Sequence, residues 1–583
     1  MAFINQFKLF QNLLNKFQFI NIIKKQNIKY RKLEGGMMEK TKKLEKKDGF
    51  MKGVLALMLS QALIKMLGLI SKIYLTNKEG FGDIGNGIYG SGYQIYAMLL
   101  TISSIGVPNA ISKMISERVA VDDYKGAHRI FRIALLTFGL IGLTGTLILF
   151  FGAGAISNAI EVPEAMLSLQ VLSPSITFVT IASVLRGYFN GLDKVSVTAK
   201  SQSLEQVFKT VITIAAVQLI GIVTGLNTTL MAAGANLATT LSVTLSFLYI
   251  IMYYRTFRKI VIPKIKATTN YKYEKVKKVV RNILVVSIPI TLSAIMSTLS
   301  KIVDIVTVVK GLKTFLPDAL AKAQYGILSG KVDTLATLPL SFNIAFATAL
   351  VPSVSGLMAK GDKETASKRI SLSLLITMLI GLPCTFGMMT FAQPIINLLF
   401  PNATDGGFLL QIFSLTIIFA VLMQTTNGAL QGLGRIMVPA ITSFIGVMLK
   451  LILNLILVPN PELGVNGAAI ASVVNNFFAF LLSFIVLRKT IKLNLNFAKF
   501  ILKPAIATVA MCACSYYIYT ILIGGIISAK IATILAIIIA VIIYVIMVVI
   551  LKIFDEDEII MIPYGTKIYK ILKKLGIYGK EAC

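Results

Sequence analysis

The sequence predicts an all-α polytopic membrane protein with fourteen transmembrane helices, arranged as two six-helix parallel repeats plus two extra C-terminal helices. Three observations carry that expectation. Of the 583 residues, 56% are hydrophobic and only 14% charged, far too apolar for a soluble chain of this length. Fourteen apolar segments are long enough to cross about 30 Å of hydrocarbon, and they should be helices, because an open strand would leave backbone groups unpaired in lipid. The third observation is an internal echo. The stretch from Arg186 to Lys209 returns, degraded but in register, as the stretch ending at Lys450. Gly187 maps to Gly428, Gly191 to Gly432, Leu192 to Leu433, Lys194 to Arg435 and Lys209 to Lys450, all at an offset of 241 residues. Upstream, Ser173, Ile176 and Phe178 fall on Ser414, Ile417 and Phe419, and Val107-Pro108 answers Val351-Pro352. A repeat of this kind means two copies of one structural unit.

Taken in order, residues 1–52 form a basic N-terminal segment in which Lys8, Lys16, Lys24, Lys25, Lys29, Arg31 and Lys32 interrupt an otherwise apolar stretch. No small-residue cleavage site follows, so a cleaved signal is not expected. The segment reads either as an amphipathic helix on an anionic lipid bilayer or as sequence upstream of a translation start at Met37, Met38 or Met51. The N-terminal lobe, 53–252, holds apolar segments at about 53–75, 88–111, 130–151, 169–188, 197–222 and 231–252. A basic linker, 253–282, separates it from the C-terminal lobe, 283–487, with segments at about 283–309, 334–351, 370–389, 408–430, 436–457 and 467–487. Residues 488–555 add helices at 500–523 and 531–553, and 556–583 form a tail. Six segments per copy is an even number, so both copies enter the membrane in the same sense, as parallel rather than inverted repeats.

Loop charge sets the orientation. The linker carries ten Lys and Arg residues between Arg255 and Arg281, and the connections after segments two, four, eight, ten and twelve are also basic. Those after three, five, nine and eleven contain none. By the positive-inside rule both termini face the cytoplasm. One connection dissents, because Lys310, Lys313 and Lys322 follow the seventh segment on the predicted outer side.

Composition also excludes functions. The net charge of +32 is scattered in short clusters between apolar runs, which argues against a nucleic-acid partner. Cys384, Cys512, Cys514 and Cys583 have no zinc spacing, and the single histidine, His128, has no partners for catalysis or metal binding. No GxxxxGK[ST] motif is present. No enzyme activity, cofactor or metal is expected, and transport would be gradient-driven or downhill, with the coupling ion left open.

Ionisable groups at membrane depth cost about 2.5–3.5 kcal/mol each at a helix centre, so each asks for a reason. Lys65 and Lys72 lie seven residues apart on one face of the first segment. In the seventh, Ser293, Ser297, Ser300, Lys301 and Asp304 form a polar stripe. These segments open the two halves, so the stripes should face each other across a cavity. The alternative is that Lys72 snorkels outward and Asp304 neutralises Lys301 one turn away. Lys209 has Glu205 four residues before it as a local partner. Gly446 stands at the matching position of the second copy, so Lys450 lacks one, and about 22 Å of helix separates it from Arg435. It must find a partner, a cavity or the outer interface. Lys331 and Asp333 stand near the start of the eighth segment. The balance is basic, which favours a phosphate or pyrophosphate over a cationic drug.

The stretches IKMLGLISK (Ile64 to Lys72), GNGIYGSGYQIY (Gly85 to Tyr96), VPNAISKMISE (Val107 to Glu117), LRGYFNG (Leu185 to Gly191) and TLPLSFNIAFATALVPSVSG (Thr337 to Gly356) resemble the MurJ/SpoVB polysaccharide-biosynthesis branch of the MATE-like exporters. The resemblance covers about residues 50 to 555. It implies a lipid II flippase of the bacterial plasma membrane, working by alternating access on a polyprenyl-pyrophosphate-linked glycan, with the two extra helices shaping a groove for the lipid tail. Lys65 stands where family members have an arginine. The second first-helix arginine would fall on Ser71, beside Lys72, and the eighth-segment arginine on Thr334, near Asp333 and Lys331. The expected substrate-binding set is Lys65, Lys72, Lys301, Asp304, Lys450, Lys331 and Asp333. The rival readings are a flippase for another lipid-linked oligosaccharide, a cation-coupled drug antiporter, which should carry unpaired carboxylates in its core, and a non-transporting scaffold of the cell-wall machinery.

Overall fold

The computed structural model describes residues 64–561 apart from 105, 269, 270, 272, 494 and 525–527, together with 569 and 573. The N-terminal basic segment, its candidate start sites and Cys583 lie outside the described residues, as do the side chains of Ser293 and Ser297. The chain is helical, with no strand among the described residues. In the N-half, α1 is described over 64–77, followed by α2 Gly82–Ser104, α3 Gly106–Val119, α4 Tyr124–Ala159, α5 Ala165–Gly191, α6 Val195–Val223 and α7 Thr228–Lys266. The C-half comprises α8 Val276–Leu312, α9 Asp318–Gly326, a π-helical turn Ile327–Val332, α10 Asp333–Ala359, α11 Lys363–Thr390, α12 Ala392–Leu399, α13 Gly407–Gly432, α14 Val438–Leu457 and α15 Val465–Thr490. A second π-helical turn, Ala498–Leu502, leads into α16 Lys503–Gly524, and α17 Ala529–Ile550 follows.

Eleven of these stretches are long and apolar enough to cross a membrane, with α2 and α3 counted as one span. That measure does not reach the expected fourteen; α1, α8 and α10 are the helices at the remaining three predicted segments. Lipid exposure explains the surface. On α4, Leu136, Leu140, Leu143, Leu147 and Phe151 form an exposed stripe at helical spacing. On α17, Ala532, Ala536 and Ala540 face inward while Ile531, Ile538 and Ile542 face out, the small-residue packing that lets membrane helices approach closely. This added pair docks on α11 and α12, with the Tyr544 hydroxyl donating to the Leu379 carbonyl at 2.9 Å.

The repeat glycines have one job in both halves. A Cβ on Gly187 would stand 2.9 Å from the Pro108 carbonyl, and one on Gly428 would stand 2.5 Å from the Ala347 carbonyl. Each glycine therefore lets the helix before the basic turn lie directly on the backbone of the preceding Pro-containing helix, α3 or α10.

Two features differ from the sequence expectation. The basic linker is largely helical, since α7 runs on to Lys266 and α8 begins at Val276. Its Arg and Lys residues are good helix formers and simply extend α7. The connection is tied down by Glu274, 2.9 Å from Arg118 at the end of α3. The helix α9 and the π-helical turn after it fill a connection that had been expected to be a loop.

Candidate functional site

The site is built on α1, which α6 holds in place. The Tyr74 hydroxyl donates to Gln218 Oε1 at 2.9 Å, and the Thr210 hydroxyl donates to the Leu67 carbonyl at 3.3 Å. Beside α1, helix α2 carries Tyr89, Tyr93 and Tyr96 at spacings of four and three, which puts them on one face. The Tyr89 and Tyr93 rings stack with centroids 5.7 Å apart. Two ammonium groups sit on this ladder. Lys72 Nζ lies 4.4 Å over the Tyr89 ring and donates to Asn86 Oδ1 at 3.3 Å. Lys209 Nζ, from α6, lies 4.1 Å over the Tyr93 ring. Lys65, two turns before Lys72, is exposed and within electrostatic reach of Lys301 and Asp333. Lys72 is within reach of Lys209, Asp333 and Lys301. Among the described residues, no carboxylate lies at ion-pair distance from Lys65, Lys72 or Lys209.

The opposite wall is a paired charge. Lys301 on α8 donates to Asp333 Oδ2 on α10 at 2.5 Å. The local pairing of Lys301 with Asp304 is not formed. Asp304 is taken by Lys450 of α14, at 2.6 Å. Lys450 also donates to Ser300 Oγ at 3.1 Å, while Asn454 donates to Asp304 Oδ1 at 3.1 Å and to Thr307 at 2.8 Å. Lys450 thus finds a partner across helices, and the node belongs to the interior of the C-half. The expected Lys209 and Glu205 pair is likewise not formed, because Glu205 accepts from Arg186 at 2.8 Å.

Lys331 stands apart from the central group. Its side chain is fully buried in the π-helical turn, 2.8 Å from Asp83 of α2, and donates to the carbonyls of Ala403 and Asp405, both at 2.9 Å. It is a staple between the halves at the end that loop charge places outside. Two of the three dissenting lysines do the same work. Lys322 pairs with Glu164 at 2.6 Å, and Lys313 donates to the Glu161 carbonyl at 2.9 Å and pairs with Asp318 at 2.7 Å. Glu161 and Glu164 belong to the connection between α4 and α5, so these lysines are spent on cross-half ion pairs. Burial pushes the Asp318 carboxyl up, but its hydrogen bonds from Lys313 and Lys322 outweigh that and hold it below the ordinary value.

The expected set therefore separates into a central group (Lys65, Lys72, Lys301, Asp333), a C-half node (Asp304, Lys450) and an outer staple (Lys331). Sequence reasoning missed Asn86, Tyr89, Tyr93 and the orientation of Lys209. The tyrosine spacing on α2 was the available signal.

A family model described as polysaccharide biosynthesis protein matches residues 50–358, more than half of the chain. The chain belongs to the polysaccharide biosynthesis protein family. A MatE model also matches this polysaccharide biosynthesis protein over residues 289–456. It is similar to the Stage V sporulation protein B of Bacillus subtilis (strain 168), with 27% identity over 467 residues, covering 79% of this chain and 88% of that protein. It is also similar to the Lipid II flippase MurJ of the same organism, with 22% identity over 458 residues, covering 75% and 82%. A solved structure of Lipid II flippase MurJ in an inward closed conformation aligns with a TM-score of 0.64 at 16% identity, covering 85% of this chain and 98% of that one, which shows the shared fold. The resemblance drawn from the sequence motifs holds, and the chain is a multi-pass membrane protein of the transporter type.

Proposed function

We propose that the chain is a flippase for a polyprenyl-pyrophosphate-linked cell-wall precursor, with lipid II as the first substrate to test, moved from the inner to the outer leaflet by alternating access. The observation that carries this reading is the cluster of Lys65, Lys72 and Lys209, three cations without carboxylate partners among the described residues. Cation–π contacts are worth about 0.5–2 kcal/mol, less than the cost of an ammonium at membrane depth. An anionic head group at this spot would supply the missing stabilisation, and lysines would hold it as point charges. The name of one relative, the Lipid II flippase MurJ, supports the same substrate class. A cation-coupled drug antiporter is disfavoured, since Asp304 and Asp333 are both ion-paired.

The test is complementation of a bacterium depleted of its lipid II flippase. Growth supports lipid II; failure despite verified membrane expression moves the substrate to another lipid-linked oligosaccharide. Orientation is tested separately. Asn158→Cys should be labelled by an impermeant thiol reagent in intact cells, and Thr268→Cys only after the cells are opened; the reverse pattern overturns the assignment of both termini to the cytoplasm.

A further inference from the structure

The N-half contains a cavity that the lysine cluster does not line. It measures about 420 Å³ and lies among α1, α2, α3, α5 and α6, lined by Ile64, Leu100 and Pro108 on its apolar side and by Asn109, Gln202 and Gln206 on its polar side. That volume falls within the roughly 300–1,000 Å³ of small-molecule sites. Arg186 and Glu205 also reach it, but their charges cancel at 2.8 Å, and Arg186 is further spent on Ser201 at 3.0 Å and Ser246 at 3.2 Å. The cavity therefore presents no net charge for an anion. The side-chain amides of Asn109, Gln202 and Gln206 make no hydrogen bond among the described residues, so three donor and acceptor pairs on the cavity lining are left unsatisfied by the described chain.

We propose that this cavity is the sugar subsite of the transporter, taking the neutral, hydroxyl-rich ring next to the pyrophosphate. The inference rests on the flippase reading and extends it to the glycan. A carboxamide both donates and accepts, as a sugar hydroxyl does, and an apolar ligand would leave the amides unsatisfied. Position argues for the same ligand. Gln206 is three residues from Lys209 on α6, about 4.5 Å along the axis, and Ile64 adjoins Lys65. In a lipid-linked glycan the first sugar is bonded directly to the phosphate, so lysines and amides one helical turn apart match adjoining parts of one molecule.

The test uses the full chain in nanodiscs and two radiolabelled probes, a polyprenyl pyrophosphate without sugar and the same lipid carrying a disaccharide. The wild type should bind the disaccharide lipid more tightly. In Gln202→Leu/Gln206→Leu that preference should fall about tenfold while affinity for the bare lipid is unchanged, and Lys72→Gln should weaken both probes. Equal binding of the two lipids by the wild type, or a preference that survives in the double variant, overturns the sugar subsite while leaving the flippase reading intact. Absence of binding of either lipid to the wild type sinks the flippase reading, and the subsite with it. If the leucines disturb packing, seen as loss of both probes, Asn109→Ala at an exposed side chain must lower the preference alone, and an unchanged preference there overturns the proposal.

Discussion

The N-half and the C-half spend their lysines differently. Lys301, Lys331 and Lys450 of the C-half each meet a carboxylate, at 2.5, 2.8 and 2.6 Å. Lys65, Lys72 and Lys209 of the N-half meet rings, an amide or solvent. The halves are repeats of one fold, and Lys209 and Lys450 are equivalent positions, so the contrast is not architectural. A paired lysine is satisfied by the chain and contributes to its shape. On the proposed function, an unpaired one at membrane depth is satisfied by the substrate. The comparison separates paired charge from unpaired charge, which the proposed function assigns to structure and to substrate, and it can be broken at four places.

The largest effect is expected at the outer staple. Removing one partner of a buried ion pair costs about 3–5 kcal/mol because the other charge is stranded, and Lys331 is fully buried. Lys331→Met should lower the unfolding midpoint in detergent markedly, and Lys331→Met/Asp83→Asn should recover much of it. A single variant as stable as the wild type would remove Lys331 from the structural class. Next comes the C-half node, where Asn454 still donates to the stranded Asp304, so Lys450→Met should cost about 3 kcal/mol. The double variant Lys450→Met/Asp304→Asn should be near wild type in both stability and transport. If it is stable but inactive, the node belongs with the substrate charges.

The third test reverses the logic. Lys72→Gln should cut transport about 10- to 100-fold, or about 1.4–2.7 kcal/mol on the barrier, while stability holds or rises, since a half-buried charge without a carboxylate partner is removed. Lys65→Gln should act in the same direction but more weakly, its side chain being exposed. A well-expressed, fully active Lys72→Gln protein would falsify the head-group assignment.

What the sequence could and could not reveal follows from the range of the forces involved. The all-helical class and the order of eleven apolar crossings were legible because lipid forces each crossing to be apolar over a fixed length. The repeat was legible because Gly187 and Gly428 tolerate no side chain against the neighbouring backbone. Charge pairing was not. The sequence offered Glu205 for Lys209 and Asp304 for Lys301, each within a turn, and in both cases a cross-helix partner won. Lys331 and Asp83 are 248 positions apart, and nothing local announces them. Lys313 and Lys322 looked like an exception to the topology rule because an ion pair across the halves is invisible to a count of loop charges.

The smallest effect concerns that outer seam, and pH reads it. The Asp318 carboxyl, held below its ordinary value by Lys313 and Lys322, contributes stability that is present above the unfolded aspartate value of about 4 and lost as pH falls through the depressed folded value. Burial pulls Lys313 down, but its bonds to Asp318 and Glu161 together outweigh that and raise it, so it contributes stability that is present below the unfolded lysine value and lost only as pH rises through its raised value. Between these limits the seam should be insensitive to pH. Asp318 is half exposed, with 53% of its side chain accessible, so solvent screening keeps its share to at most about 1 kcal/mol. Asp318→Asn should therefore leave the Lys322 to Glu164 pair to hold the seam and shift the unfolding midpoint little at neutral pH, while flattening its decline below about pH 4. A mutant that loses as much stability as Lys331→Met would show instead that the outer seam depends on Asp318 itself, and the ranking of paired charges by burial would have to be abandoned.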